Sequence, residues 1–269
     1  MRADHWYVPL APPETLSRLL ACSWTAFPTG THLLVPDACS DLLWTSHGEI
    51  WLCGPETTGW TFALPKGTTA VGVRLRPGMV PAVFGIDTST LLNRRVRLGD
   101  VIGKHAECSV ASVIAEATCA DDRRLALESF VATLPVVKAH RDFAEQTLNR
   151  LTSWPRAPQS ELASHLGLTP RQLHRKCTYG FGYGPSTLAR IIRFHRFLAI
   201  TEIDRPSVAW PIAAAAIDAG YTDQAHLGRD CRSITGRTPK KFLAEYFPTF
   251  PDMSDPYKTD ATFDASVGA

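Results

Sequence analysis

The pattern of apolar and polar positions divides the chain into two unlike parts. In the first part, short apolar runs are separated by glycine and proline, a pattern typical of strands joined by turns. Strands are predicted from the runs at residues 33–35, 41–44, 49–53 and 70–75. Farther along, short helical turns are predicted at residues 81–84 and 88–92, and longer helices within residues 109–134. The first part is therefore predicted to be an antiparallel sheet or small barrel with some helices.

In the second part, apolar positions recur at helical spacing almost throughout. One helix is predicted over residues 142–152 and another over residues 161–165, with Ser160 as its N-cap. A longer helix is predicted over residues 186–203, with its leucine, isoleucine and phenylalanine positions buried. The fold class is accordingly α+β, a β-rich domain followed by an all-α domain.

Charge is distributed unevenly along the chain. Residues 1–138 carry 12 Lys and Arg against 13 Asp and Glu, a net charge of −1. Residues 139–247 carry 15 against 9, a net of +6, and residues 248–269 carry 1 against 4, a net of −3. Positive charge concentrated in one segment is typical of a DNA-binding domain joined to a domain of another kind.

These patterns predict three segments. Residues 1–138 form a β-rich domain that binds an effector or mediates oligomerisation. Residues 139–249 form a DNA-binding domain with two helix-turn-helix units, and residues 250–269 form a disordered acidic tail.

The strongest local signal is a helix-turn-helix pattern at residues 162–173. Gly167 supplies the tight turn, and Ala163, four positions earlier, allows two helices to cross closely. Thr169 and Pro170 are placed as the N-cap and first residue of the second helix, where these residue types are favoured. The leucines within the pattern are expected to bury the two helices against each other.

The pattern occurs twice, which raises its specificity. Five positions of the first copy recur 54 residues later, and the pairs are Leu173 and Leu227, Cys177 and Cys231, Gly182 and Gly236, Pro185 and Pro239, and Leu188 and Phe242. Upstream, Ala216 and Gly220 repeat Ala163 and Gly167, with one extra residue in the second turn. The duplication predicts two DNA-reading units joined by the long helix.

Residues 139–247 resemble the DNA-binding domain of AraC/XylS-type regulators. The most specific stretches are AGYTDQAHL at residues 219–227 and TGRTPKKF at residues 235–242. Where that family often has an aromatic residue, both copies here have cysteine. The N-terminal part resembles the uncharacterised β-rich domain that precedes this module in one subgroup, through VPDACSDLLW at residues 35–44 and GVRLRPG at residues 72–78. The resemblance implies a transcriptional regulator that binds double-stranded DNA and contacts RNA polymerase.

The exposed faces of the two reading helices are expected to carry the DNA contacts. Arginine and glutamine can pair through two hydrogen bonds with guanine and adenine in the major groove, and lysines after the second helix can hold phosphates. An ordinary solvated helix face is the alternative. Asp223 aligns with Thr169 and is predicted to be an N-cap instead. The predicted DNA-binding residues are Arg171, Gln172, His174, Arg175, Gln224, His226, Arg229, Arg237, Lys240 and Lys241.

Charged residues beside the apolar strands allow two interpretations. Asp37, Asp41, Arg74 and Arg76 either line a pocket for a polar small-molecule effector or form ion pairs between strands. The tryptophans at positions 6, 24, 44, 51 and 60 could line a cavity, although a packed aromatic core is the default interpretation.

Metal, redox and membrane chemistry find little support. His32, Cys39, His47 and Cys53 match no compact metal-ligand spacing, so we predict neither a metal nor a cofactor. The repeated cysteines are expected to be small apolar residues on the buried sides of their helices. The seven cysteines are scattered, the start lacks a secretory signal, and no apolar run reaches the ~18 residues of a membrane span. A cytoplasmic protein without membrane contact is predicted.

Three hypotheses remain open from sequence alone. The first is a one-component regulator with an effector-binding N-terminal domain. The second is a DNA-acting enzyme of the alkylation-repair type, which would need an activated cysteine in a defined motif; none is visible, so no enzymatic activity is predicted. In the third, the N-terminal domain only oligomerises, for example into a homodimer.

Overall fold

The computed structural model describes residues 6–27, 30–155, 157–203 and 212–246. Within these ranges, the N-terminal part is built mainly from strands and the C-terminal part from helices, which confirms the predicted α+β class. The predicted disordered tail over residues 250–269 lies outside the described residues.

Eight strands are described. They are β1 Tyr7–Leu10, β2 Leu20–Ala26, β3 His32–Leu34, β4 Ser40–Thr45, β5 Ile50–Cys53, β6 Trp60–Phe62, β7 Ala70–Leu75 and β8 Arg95–Arg97. Six of them form one antiparallel sheet in the order β1-β2-β7-β4-β5-β8, and β3 pairs with β6 separately. The predicted strands correspond to β3, β4, β5 and β7. The sequence does not predict β1, β6 and β8, which are short, or β2, which has seven residues but no clear alternation of apolar and polar positions.

Both faces of the central strands are covered, because side chains alternate along each strand. On one face, Leu42 and Val73 belong to a buried cluster that extends into the helices. The opposite face presents Trp24 beside Gly72, its partner in the strand register. A Cβ at Gly72 would lie 2.4 Å from Cζ2 of Trp24, so the indole requires glycine at this position.

Eleven α-helices are described in the ranges given above. They are α1 Val80–Phe84, α2 Leu98–Ile102, α3 Lys104–Glu116, α4 Ala120–Thr133, α5 Lys138–Ser153, α6 Gln159–His165, α7 Pro170–Phe181, α8 Pro185–Ile203, α9 Ile212–Asp218, α10 Gln224–Thr235 and α11 Pro239–Tyr246. Short 3-10 helices lie at Glu14–Leu16 and Thr88–Leu91.

Most helices of the C-terminal part begin and end close to the predicted positions, with two differences. The first helix begins at Lys138 rather than at residue 142. The predicted N-cap at Ser160 is wrong, because α6 begins at Gln159 and Pro158 occupies its cap position without a side-chain hydrogen bond. Proline has its φ fixed near the value needed there, which makes it a suitable residue to lead into the helix.

The buried core is continuous across residues 138 and 139. One cluster joins Leu42 of the sheet to Phe181 of α7, and a second joins Trp24 to Phe242 of α11. The backbone approaches closely as well, since a Cβ at Gly78 would lie 2.7 Å from both Cβ of Ala144 and Cε1 of Phe181. Residues 1–138 and 139–249 remain a predicted division of the chain, but their described parts pack as one body.

Candidate nucleic-acid interface and internal cavity

The first reading helix, α7, is defined by its ends. Thr169 is its N-cap and accepts a hydrogen bond from the backbone N–H of Gln172, as predicted, and Pro170 is the first helical residue. Gly182 closes the helix with φ at 85°, a left-handed conformation that favours glycine. Leu173 and Cys177 are buried on its inner face, so the opposite face is turned to solvent.

The second reading helix, α10, repeats this construction. Asp223 is its N-cap, and Oδ1 accepts a 2.6 Å hydrogen bond from the backbone N–H of His226, which confirms the predicted capping role. Gly236 closes the helix with φ at 72°. Leu227 and Cys231 are buried at the positions equivalent to those in α7. The internal repeat is therefore a structural repeat.

The turns before the reading helices also correspond. Gly167 and Gly220 have φ values of 65° and 97°, so both turns use the conformation that glycine allows. Ala163 and Ala216 are buried in the preceding helices, as expected of small residues where two helices cross.

Helix α8 ties the two units together. Arg196 donates from Nε to the carbonyl oxygen of Asp218 and from Nη1 to that of Thr152, each over 3.0 Å. These carbonyls lie at the ends of α9 and α5, where cationic side chains are favoured. Arg193 also places Nη2 3.6 Å from Oδ2 of Asp230 on α10. The guanidinium of Arg196 thus joins the end of α5 to the end of α9, one helix from each half of the domain.

The predicted contact residues of α7 are all exposed, but they are not equally free. Arg171 and Arg175 border a shallow depression that Asp87 also lines. The Oε1 atom of Gln172 accepts the backbone N–H of Thr169 over 2.9 Å, completing a capping box. The ring of His174 lies against Gly184, since a Cβ there would be 2.8 Å from Nε2.

On α10, Gln224 and Arg229 are exposed. His226 is half-buried, with its ring edge-on to Tyr221 and Nε2 3.9 Å from Oδ2 of Asp230. Local contacts therefore hold His226 in place, whereas Gln224 and Arg229 extend from the helix face.

The basic residues that follow α10 differ in their surroundings. Arg237 forms an ion pair with Glu245. Lys241 places Nζ 3.9 Å from the other carboxylate oxygen of Glu245, whereas Lys240 is exposed. Lys240 and Lys241 are available at the surface, and Arg237 is engaged by an acidic neighbour on α11.

A cavity of about 490 Å³ lies between one face of the six-stranded sheet and the β3–β6 pair. Its wall is largely apolar, and the Trp, Tyr and Phe rings that line it are Trp6, Tyr7, Trp24, Trp51, Trp60 and Phe62. Both interpretations of the tryptophans apply, because Trp6 and Trp24 border this volume and also belong to a buried hydrophobic cluster, whereas Trp51 and Trp60 border it and are only partly buried. Trp44 alone of the five lies outside the lining, buried under Arg123.

Three of the four predicted effector residues line this cavity. Arg74 lies opposite Asp41 in the strand register and donates from Nε and Nη2 to its carboxylate over 3.1 and 3.2 Å. Its Nη1 lies 3.1 Å from Oδ2 of Asp37. The ion-pair interpretation of these charges is therefore confirmed, and the pairs form part of the cavity wall, whereas binding of an effector stays a prediction. Arg76 does not line the cavity. Its Nε donates to the carbonyl oxygen of Ser17 over 2.7 Å.

Burial alters the titration of this wall. Burial opposes the charge on Arg74, but Asp41, Tyr7 and Asp37 together raise its pKa well above the ordinary value. Burial is also the main cause of the raised pKa of the Tyr7 hydroxyl, and it raises the pKa of the Cys53 thiol to about 12. The guanidinium stays charged and the hydroxyl and thiol stay neutral at physiological pH.

The cavity wall contacts the second helix-turn-helix unit directly. The backbone N–H of Gly59, next to β6, donates to the carbonyl oxygen of Ile234 on α10 over 2.5 Å. Pro36, which lines the cavity, has its carbonyl oxygen 2.6 Å from Nε2 of His195 on α8. A change in the cavity can therefore reach both α8 and α10 through single contacts.

Sequence reasoning missed several cavity residues. Phe62 lies on β6, and Glu56 with Arg95 forms an ion pair at the cavity edge. The number of tryptophans was the available signal, but nothing local indicated that β6 would pair with β3.

The remaining sequence candidates have structural surroundings. His32 stacks on Trp6 with ring centroids 3.8 Å apart, and Nε2 of His47 lies 3.2 Å from Oγ1 of Thr68. Within the described ranges, no three His, Cys, Asp or Glu side chains are grouped so that they could hold a metal ion. Of the helices placed by the structure, none has both the length and the apolar character to cross a membrane.

Comparisons with known proteins place matches on both parts of the chain. Residues 162–245 match a family described as helix-turn-helix domain, and residues 9–97 match a domain of unknown function, DUF6597. No curated protein matches the chain.

Similar solved structures include three of ToxT from Vibrio cholerae. The P21 crystal form is 11% identical with a TM-score of 0.42 and covers 82% of this chain and 98% of its own. Wild-type ToxT of strain SCE256, bound to an unsaturated fatty acid, is 10% identical with a TM-score of 0.45 over 92% and 99%. ToxT of strain O395, bound to (E)-4-(8-methylnaphthalen-1-yl)but-3-enoic acid, is 11% identical with a TM-score of 0.43 over 88% and 98%.

The helix-turn-helix match is of AraC type and covers both reading helices, the turns before them and the helix that joins them. Such a domain is typical of DNA-binding transcriptional regulators. The chain therefore carries an AraC-type helix-turn-helix domain over residues 162–245 and a DUF6597 domain over residues 9–97, and it is a DNA-binding transcriptional regulator.

Proposed function

We propose that α7 and α10 read specific bases in two successive major grooves, and that an effector in the internal cavity controls this binding. One observation carries the proposal of two reading helices. The two helices are equivalent in their caps and buried faces, and both are packed against α8. Two units on one rigid connector suit one face of DNA, where groove centres are about 34 Å apart.

The contacts are proposed to differ between the two helices. In the first unit, Arg171 and Arg175 are the principal base readers, because the Gln172 side chain is already used in the capping box. In the second unit, Arg229 stands at the position equivalent to Arg175, and Gln224 at the start of α10 is the other proposed reader. Gly228, at the position equivalent to His174, offers no side chain for a base contact. The second unit therefore contributes more to holding the DNA than to reading it.

Lys240 and Lys241 are proposed to bind phosphates. They lie in the first turn of α11, directly after the second reading helix, and both are exposed. Phosphate contacts fix the position of a protein on the duplex without distinguishing sequences. Arg237 would also bind a phosphate only if DNA displaced Glu245 from its ion pair with this side chain.

An effector is proposed to act through the cavity wall. The cavity has the size and the largely apolar lining, with six Trp, Tyr and Phe rings, of a small-molecule site. Its contacts with Ile234 and His195 connect that site to α10 and α8. A bound molecule that moved the β3–β6 pair would change how the second unit is presented to DNA.

The proposed role in regulation also suggests where the protein acts and which partners it contacts. We propose that the protein acts in the cytoplasm, that it contacts RNA polymerase when bound to DNA, and that it pairs into a homodimer on longer sites. An alkylation-repair activity is disfavoured because burial raises the pKa of Cys39, Cys53, Cys177 and Cys231, which keeps these thiols protonated and weakly nucleophilic.

DNA reading is tested by selecting bound sequences from a random pool with the full chain, followed by footprinting. A monomer is expected to protect two short blocks about 10 base pairs apart. Arg175→Ala should relax base preference at one position and cost roughly 1–3 kcal/mol of binding free energy. Lys240→Ala should weaken all sequences alike and reduce the salt slope by about one.

Lys66→Ala is the matched control, since Lys66 is an exposed lysine of the β-rich part. It should leave binding unchanged. If Arg175→Ala instead reduced affinity equally for selected and random DNA, α7 would be an electrostatic anchor and the base-reading role would be wrong.

Effector control is tested with the small-molecule fraction of a cell extract. The fraction should change the affinity of the full chain for its selected site. Leu43→Trp, which fills the cavity from β4, should abolish that response while leaving basal DNA binding intact. A response that persisted in this variant would place the effector elsewhere.

A further inference from the structure

Strand β4 presents three side chains of different chemistry to the internal cavity. Asp41, Leu43 and Thr45 alternate along this strand and all line the cavity, so they share one face of the sheet. Asp41 stands beside Arg74 of β7 in the strand register, and Leu43 stands beside Trp51 of β5. A ligand lying along β4 would therefore meet a charged end, an apolar middle and an end that carries a hydroxyl group.

The charged side chains of the wall are bound to one another. At the charged end, Arg74 donates to Asp41 and lies 3.1 Å from Asp37. An ionic ligand would have to compete with these partners and would also lose its own hydration, which is costly in a partly buried site. The wall therefore favours an uncharged molecule. The other two ion pairs beside the cavity are Glu56 with Arg95 and Glu49 with Arg97.

The indole N–H groups near the apolar middle are also engaged. Nε1 of Trp24 donates to Oδ1 of Asp41 over 2.9 Å, and Nε1 of Trp51 donates to Oε2 of Glu49 over 3.3 Å. Arg97 covers one side of the Trp51 ring, which still lines the cavity. A ligand therefore meets the apolar surfaces of these rings rather than their polar edges. Because paired aromatic rings are stabilised beyond their buried area, the middle favours an aromatic body.

The hydroxyl group of Thr45 stands apart from these networks. The residue is only 6% exposed. Its backbone is bound within the turn between β4 and β5, where its N–H donates to the carbonyl oxygen of Glu49 over 3.1 Å and its carbonyl oxygen accepts from the N–H of Gly48 over 2.8 Å. Among the residues that the structure describes, none forms a hydrogen bond with Oγ1 of Thr45. A buried hydroxyl without a partner is unfavourable, so a ligand that supplied the partner would bind more tightly.

We propose that the cavity binds an uncharged aromatic molecule whose carbonyl oxygen accepts a hydrogen bond from Oγ1 of Thr45. The inference rests on the proposed effector site and names the chemical class of its ligand. The aromatic body lies beside Leu43, Trp24 and Trp51. The ion pairs at the charged end stay intact, and Thr45 determines which polar group is recognised.

The test compares three biphenyl probes that differ in one substituent, using the full chain. Biphenyl carboxamide is uncharged, biphenyl carboxylate is anionic, and biphenyl methylamine is cationic near neutral pH. Binding is measured by titration calorimetry, and only binding that Leu43→Trp removes is counted as binding in the cavity. The carboxamide is expected to bind at least about tenfold more tightly than either charged probe, a difference of about 1.4 kcal/mol. Its saturated analogue, bicyclohexyl carboxamide, should bind at least about threefold more weakly.

Thr45→Val removes the hydroxyl and keeps the shape of the side chain, so it should weaken binding of the carboxamide about tenfold. Without probe, this variant should melt at or above the temperature of the parent chain, because it removes a buried hydroxyl that lacks a partner. Thr45→Ser keeps the hydroxyl and should restore most of the affinity. Thr133→Val, at an exposed threonine of α4, is the matched control and should bind the carboxamide like the parent chain.

Several results would overturn the inference. A charged probe that bound in the cavity at least as tightly as the carboxamide would refute the uncharged class, and equal binding of the saturated analogue would refute the aromatic body. Unchanged affinity of Thr45→Val for the carboxamide would refute the role of the hydroxyl. Absence of cavity binding by all of the probes would also refute the stated class. The extract experiment with Leu43→Trp then decides separately whether the cavity controls DNA binding at all.

Discussion

Replacing Gly78 by alanine tests whether the β-rich part and the first helix-turn-helix unit share one core. Gly78 has φ at 81°, and a Cβ there would lie 2.7 Å from Cβ of Ala144 and from Cε1 of Phe181. Neither atom can move away easily. The Ala144 Cβ is attached directly to the backbone of a helix, and Cε1 belongs to the fully buried ring of Phe181. Gly85 is the matched control, since it has φ at 69° and nothing within 4 Å of its position for a Cβ.

Both substitutions impose a cost on the backbone conformation, and only Gly78→Ala adds a cost from packing. An alanine forced into the left-handed region costs roughly 1–2 kcal/mol, which both variants should lose. Overpacking a close-packed core adds about 1–3 kcal/mol, which only Gly78→Ala should lose. The expected loss in the free energy of unfolding is therefore about 2–5 kcal/mol for Gly78→Ala and about 1–2 kcal/mol for Gly85→Ala.

The measurement is equilibrium unfolding in urea, supported by thermal melting, on the full chain. One kcal/mol corresponds to about 2–4 °C in melting temperature for a domain of 150–250 residues. Coincident transitions by tryptophan fluorescence and circular dichroism would show that both parts unfold together. Equal losses in the two variants would refute the reasoning, because they would mean that Gly78 does not face a packed junction in solution.

Three further outcomes are expected. Residues 139–249 expressed alone should still bind DNA but melt at a lower temperature than the full chain, because Phe181 loses its contact with the β-rich part; an equal melting temperature would contradict the shared core. Thr169→Ala should lower the free energy of unfolding by about 1 kcal/mol in urea titrations, through loss of the N-cap. In timed alkylation at pH 8 followed by peptide mass spectrometry, the exposed Cys108 should react well before Cys177, since burial raises the Cys177 pKa to about 12; faster labelling of Cys177 would mean that α7 opens readily.

The helix-turn-helix units could be predicted from sequence because their signals are local and repeated. Thr169 as an N-cap, Gly167 in the turn and Leu173 on the buried face lie within one short segment, and the second copy supplies an independent check. The structure places these residues as expected. The capping box formed by Gln172 also had a local signal that the sequence analysis did not use, because Thr169 and Gln172 have the spacing S/T-x-x-E/Q that is typical of it.

The β-rich part was only partly predictable because its contacts are distant in sequence. Asp41 and Arg74 were recognised as a charged group, but their direct pairing depends on the β4–β7 register. β2 has no clear alternation, and β6 has only three residues, so the strands that complete the cavity gave weak signals. The open volume beside Trp24 and Trp51 arises from how the sheet and the β3–β6 pair are spaced, which no local pattern encodes.

The cluster that joins Trp6 to Phe242 also constrains how the chain can fold during synthesis. These residues come from the first and the last elements that the structure describes, yet they share one buried cluster. Contacts between such distant residues form slowly, because the intervening chain must first be brought together. As the chain leaves the ribosome, the rings of Trp6 and Trp24 stay without helical partners until α8 has emerged, and the cluster is complete only with α11. Folding of the sheet is thereby coupled to synthesis of the later helices, and a chain truncated before α8 would leave an aromatic surface exposed to aggregation.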